Sequence, residues 1–132
     1  MELTAEHHQV LHNKFHAKLG LRSRVLLQDY VWIYPILEAD TETLKGYTIR
    51  IHGKIVLELT NVLRIHPPWR DLNPDAFLVL NEWLAPLGIR FEHVQSAAEL
   101  SLNAPLFRLL LPDGRWYFHH FANGLKLRFL RG

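Results

Sequence analysis

The chain contains no cysteine. That excludes disulfides, thiol catalysis, iron–sulfur clusters and thiolate zinc sites, and it suits a reducing compartment. Long apolar runs are also missing. Nothing approaches the roughly 20 residues that a membrane-crossing helix needs, and the first residues lack the apolar core of a signal peptide. The expectation is a soluble, cytoplasmic protein with no membrane partner. Charge imbalance is small, at +2. No G-x-G-x-x-G or G-x-x-x-x-G-K-[ST] stretch is present, so no phosphate-cradling loop is implied. Ser23, Ser96 and Ser101 sit in no nucleophile-elbow context, and the acids are scattered over turns and helix starts. No cofactor follows from these residues, and the reading leans away from an enzyme.

What is present is ordinary globular chemistry. The 132 residues are 48% hydrophobic and 21% charged. A chain of this length can bury roughly two-thirds of its unfolded surface, which one domain over 1–132 satisfies. Thr4 is a helix N-cap candidate with Glu6 in the first turn, and the helix is expected over about 5–18, stopping at Gly20. Leu11 and Phe15 lie on one side of it, with Lys18 or Leu19, and Val10 flanking. Asn73-Pro74-Asp75 is the strongest helix start: cap, Pro at the first helical position, then an acid. That helix is expected over about 74–85, ended by Pro86 and Gly88.

Strand signals fill the rest. Arg24 to Leu37 reads as two short strands broken near Asp29, with Pro35 arguing for an edge or a bulge. Tyr47 to Thr60 reads as a hairpin turning at Gly53, in which Arg50 and Glu58 face each other. Ile89 to Val94 resumes strand character, and Ser96 to Glu99 is a capping box that suits one helical turn. The fold class expected is α+β: two main helices on an antiparallel, meander-rich sheet of six to eight strands.

The stretch 106–130 is expected to be a three-stranded meander. Asp113-Gly114 and Asn123-Gly124 are strong hairpin signals, because Gly accepts positive φ without steric cost. Residues 101–132 hold five basic residues against Asp113 alone, which concentrates the positive charge there. With Leu125, Leu127 and Phe129 turned inward, Lys126, Arg128 and Leu130 turn outward. With Phe107, Leu109, Trp116 and Phe118 inside, the outer face gathers Arg108, Arg115, Tyr117, His119, Lys126 and Arg128. That face suits phosphates and stacked bases, or an acidic protein surface. The function expected is therefore a non-enzymatic binding module for nucleic acid or an acidic protein partner.

Other readings have residues of their own. Exposed Leu106, Leu110 and Leu130 suit a protein–protein interface or a homo-oligomer. His119, Arg115 and Tyr117 are the residues a metal-independent nuclease would use for proton transfer and charge stabilisation. Adjacent strand residues face opposite ways, so His119 and His120 cannot share one site without a bulge. Trp69 and Arg70, on the stiff loop after Pro67-Pro68, are candidate contacts at a binding lip. His8, His12 and His16 recur at the four-residue spacing that can share a metal. No carboxylate or thiol accompanies them, which favours a solvated histidine face.

Overall fold

Thr4 starts the first helix as its side chain predicts. In the computed structural model α1 spans Ala5–Leu19. The Thr4 hydroxyl accepts the His7 N–H at 3.3 Å, and the Thr4 N–H donates to His7 Nδ1 at 3.0 Å. Two N–H groups that a helix start leaves unpaired are thereby met, with His7 where Glu or Gln usually stands. Gly20 ends the helix at φ 57°, its N–H on the His16 carbonyl at 2.8 Å. Leu11, Phe15 and Leu19, spaced by four, are the buried residues of α1.

The structure describes residues 3–39, 42–66, 74–93, 106–114, 116–120 and 125–130, with 74–77, 93, 106–109 and 116–120 described through their backbone alone. The strands are β1 (Leu3–Thr4), β2 (Val25–Gln28), β3 (Val31–Leu37), β4 (Leu44–Ile51), β5 (Lys54–Leu59) and β6 (Val62–Ile65), then β7 (Arg90–His93), β8 (Leu106–Leu110), β9 (Trp116–His120) and β10 (Leu125–Leu130). The second helix, α2, covers Pro74–Leu84 and tightens into a 3-10 turn over Ala85–Leu87. The fold is α+β. A seven-stranded mixed sheet runs β1-β10-β6-β5-β4-β3-β2, and a second sheet runs β7-β8-β9.

Two expectations fail here. The large sheet is not purely antiparallel, because β1 pairs parallel with β10, Leu3 opposite Phe129. The two strands lie at opposite ends of the chain, so no hairpin fixes their relative direction. The C-terminal stretch is also not one meander. β8 pairs with β9, but β10 pairs with β6, Leu125 opposite Ile65 and Leu127 opposite Leu63. Alternation assigned the faces of β10 correctly but does not name its neighbour. An apolar row already waits on β6, which would otherwise be a bare edge.

Register lines up the buried face. Val25, Ile33, Ile49, Leu57, Ile65 and Leu125 oppose one another in turn across six strands. Pro35, Tyr47, Leu59, Leu63 and Leu127 form the next row. Pro35 lies beyond the stretch of β3 that β2 covers, which ends at Ile33, so locally it is at an edge. A register shift follows between Ile36 and Leu37. The β4–β5 hairpin turns through His52 and Gly53 at φ 50° and 79°, the two left-handed residues that a tight primed turn requires. A second shift beside Arg50 sets it opposite Ile55 and sets Glu58 opposite Thr48. Arg50 and Glu58 are thus not the directly opposed pair expected: Glu58 opposes Thr48, two residues before Arg50 on β4.

Both helices bear on the buried side. The Phe15 ring lies parallel to Tyr47 of β4, centroids 5.0 Å apart, and at 4.4 Å from Trp83 of α2. Leu80, Trp83 and Leu84 bury the α2 face. The Asn81 amide then ties α2 to β7, donating to the Phe91 carbonyl at 2.9 Å and accepting its N–H at 2.6 Å. Asn73, the expected cap, and the Ser96 turn lie outside the described residues.

Phe15→Ala removes the ring that joins sheet and both helices and should cost about 3–5 kcal/mol in urea unfolding. A second expectation concerns Gly46, where any Cβ would overlap the Leu59 carbonyl oxygen of the neighbouring strand. Gly46→Ala should lower the unfolding midpoint clearly more than Gly53→Ala, whose Cβ meets nothing within 4 Å.

Candidate functional site

The helices leave the other side of the large sheet uncovered by themselves. Its residues follow from the same register, read one position along. Tyr34, Thr48, Glu58, Arg64 and Lys126 form one row across five strands. Trp32 opposes Arg50, and Val62 opposes Arg128. Arg64, Lys126 and Arg128 are exposed, while Trp32, Tyr34, Arg50 and Glu58 are half-buried. Arg24 joins this side through Trp32, its guanidinium 4.5 Å from the indole centroid. Arg50 lies likewise over the Tyr34 ring at 4.2 Å.

Charge on this face is one-sided. Arg64 and Lys126 are directly opposite each other, a like-charge cross-strand pair that works against the sheet. Arg128 is two residues beyond Lys126 on the same side. Among the described residues, Glu58 is the one carboxylate the register places here, and it lies 3.7 Å from His66 Nε2. Thr48 Oγ1 and Arg50 Nε are buried without a hydrogen-bond partner among the described residues. The centre of the face therefore holds unmet polar groups beside two aromatic rings, with three solvated cations on one flank.

The sequence-based site is only partly assembled. Lys126 and Arg128 do turn outward from β10, away from Leu125 and Leu127, as alternation predicts. They belong to the large sheet, however, while Arg108, Tyr117 and His119 belong to the small one. Within the small sheet the register opposes Arg108 to Phe118, Tyr117 to Leu109 and His119 to Phe107. Directly opposed residues share a side, so Arg108 is on the other side from Tyr117 and His119. The expected grouping of Phe107 and Leu109 with Phe118 fails by the one-residue slip that exchanges faces. Arg115, Trp69 and Arg70 lie outside the described residues. The residues missed were Arg24, Trp32, Tyr34, Arg50 and Arg64. Their signal was alternation in separate strands: Trp-x-Tyr, Thr-x-Arg and Arg-x-His need a strand order before they add up.

His8, His12 and His16 do line one side of α1. Their rings stack in sequence, with centroids 6.2 and 6.3 Å apart and planes 16° and 4° from parallel. Rings stacked this way do not converge on one point. Among the described residues no group of three His, Asp or Glu is arranged to hold a metal ion. His8 Nε2 is 2.8 Å from the Thr60 carbonyl, which can only accept, so His8 carries its proton there. His8 also meets Phe129 edge-on at 4.9 Å, and His12 meets Tyr47 at 5.4 Å. Burial lowers the His12 pKa, and the neighbouring His8 and His16 lower it further.

Two clefts flank α1. One, of about 170 Å³, is lined by His8, His12, Lys45, Tyr47 and Leu59 among others. The other, of about 110 Å³, lies between Lys14, Leu27, Glu82 and Trp83. There Lys14 donates to the Glu82 carbonyl at 2.7 Å and sits 4.9 Å over Trp83, and burial lowers its pKa. No helix among the described residues is long and apolar enough to cross a membrane. Comparison with protein-family models, curated proteins and solved structures finds no match.

The His12 shift has a definite sign. Above the ordinary value of 6.5 the imidazole is neutral folded or unfolded, and contributes nothing. Below it the unfolded chain takes the proton more readily, so stability falls until the lowered folded pKa is passed. Thermal melts should lose stability as the pH falls below about 6.5, and His12→Gln should lose measurably less over that range.

Proposed function

We propose that this chain is a non-enzymatic binding module that receives single-stranded nucleic acid on the outer face of its seven-stranded sheet. The observation that carries the reading is the register pairing of Arg64 with Lys126, with Arg128 beside them. Glu58 opposes Arg64 on one side, but the Arg64–Lys126 pairing itself gains the sheet nothing, whereas a phosphate backbone lying across both strands neutralises it. Trp32 and Tyr34, both on β3, three strands across the sheet from β6, supply flat apolar surface of the kind on which bases stack. The guanidiniums of Arg24 and Arg50 lie over those two rings and add positive charge beside them. An acidic protein would satisfy the same cations, and the salt slope with an oligonucleotide separates the two. The nuclease alternative, built on His119, Arg115 and Tyr117, draws no support from the described side chains.

Fluorescence anisotropy with a short oligouridylate, repeated over a salt series, tests this. Wild-type protein should bind at about 50 mM salt and weaken linearly in log–log form. Arg64→Gln with Lys126→Gln should reduce the slope by roughly 1.4, the share of two phosphate contacts on a single strand. Absence of binding at low salt, or a slope unmoved by the double variant, would refute the reading. Displacement of the oligonucleotide by polyglutamate at equal charge would favour the acidic-protein alternative instead.

A further inference from the structure

Glu58 sits in the middle of the outer face, on β5, with Thr48 opposite it on β4 and Arg64 opposite it on β6. Arg64 in turn faces Lys126 on β10. Strand spacing puts Glu58 about 5 Å across the sheet from Arg64 and about 10 Å from Lys126. The Glu58 side chain is 28% exposed, so a ligand lying on this face can reach it. Its Oε2 is 3.7 Å from His66 Nε2, longer than a hydrogen bond. Among the described residues Glu58 accepts no hydrogen bond, and Arg64 forms no ion pair with it despite being directly opposite. Both carboxylate oxygens are therefore open to a ligand that can donate.

We infer that Glu58 reads one base of the bound strand and that the base it selects is guanine, an inference that rests on the nucleic-acid reading of this face. A strand running from Arg64 and Lys126 to Trp32 and Tyr34 on β3 must pass over β5. A carboxylate repels phosphate, so the strand turns a base toward β5 and keeps its backbone on the cations. A phosphate held between Arg64 and Lys126 has its own base within one or two strand spacings, which is where Glu58 stands. An ionised carboxylate accepts hydrogen bonds and donates none, so that base must offer N–H groups. Guanine alone of the four RNA bases presents two adjacent donors on its Watson–Crick edge, N1–H and the N2 amine, and these match the two oxygens of one carboxylate. Adenine and cytosine set a ring acceptor beside the donor amine. Uracil sets its single N–H between two carbonyls. Each of those three brings an acceptor against the carboxylate, which costs affinity.

Hexauridylate is the reference probe, compared by fluorescence anisotropy at about 50 mM salt with the same oligonucleotide carrying one central guanosine, adenosine, cytidine or inosine. The guanosine form should bind the full chain about tenfold more tightly than hexauridylate, and the adenosine and cytidine forms within about twofold of it. Inosine lacks the N2 amine and should lose most of the gain. Glu58→Gln puts an amide donor where guanine needs an acceptor, so it should abolish the guanosine preference. It should leave hexauridylate affinity equal or higher, because an anion has left the face. Equal binding of all the forms, a preference that survives Glu58→Gln, or a uniform loss of affinity in that variant would each overturn the inference. In those cases the nucleic-acid reading still stands on hexauridylate binding and its salt slope. If no form binds at low salt, that reading fails and this one fails with it.

Discussion

The stack of Tyr47, Phe15 and Trp83 decides which side of the large sheet is dry. Phe15 reaches from α1 to a strand on one side and to α2 on the other. With Leu11 and Leu19 a turn or more away on the same stripe, α1 cannot rotate without exposing the apolar rows on β3 to β6. Aromatic rings in near-parallel contact add specificity to what burial alone would give. The location of α2 then places β7 through the Asn81 clamp, and with β7 the whole small sheet.

That choice of side determines the character of the opposite one. Strand residues alternate, so the residues turned away from Phe15 share the opposite side, although Thr48 there is buried. On β6 and β10 those outward residues are Arg64, Lys126 and Arg128, and on β3 and β4 they are Trp32, Tyr34, Thr48 and Arg50. Opposed like charges bring a modest cost, up to about 1 kcal/mol, which a tightly packed inner face can absorb. Glu58, directly opposite Arg64 on the other side, offsets part of that cost. On the inner side the buried Tyr47 hydroxyl is unmet among the described residues. Phenylalanine would fill that place with no unmet donor.

Local features were legible in the sequence. Thr4 and Gly20 bound α1, Pro74 opens α2, and the inward and outward sets of β10 follow from simple alternation. Even Pro35 announced its own local edge and the bulge after it. What the residues do not carry is pairing between strands distant along the chain. β10 exchanges β9 for β6 because Leu125 and Leu127 fit an apolar row some sixty residues earlier. The bulge at Arg50 moves Glu58 by one register position, and no composition rule marks that site. Since a surface patch is a sum over neighbouring strands, errors in strand order fall hardest on the functional site. Lys126 and Arg128 were assigned the correct side but the wrong companions.

The partner of β10 is accordingly the central claim, and backbone nuclear Overhauser effects in the labelled protein test it most directly. The account predicts cross-strand contacts between Lys126 and Arg64 and between Leu127 and Leu63, with Phe129 close to Leu3. Contacts from β10 to the backbone of β9 in their place would return the cations to a C-terminal meander and dissolve the outer face described above.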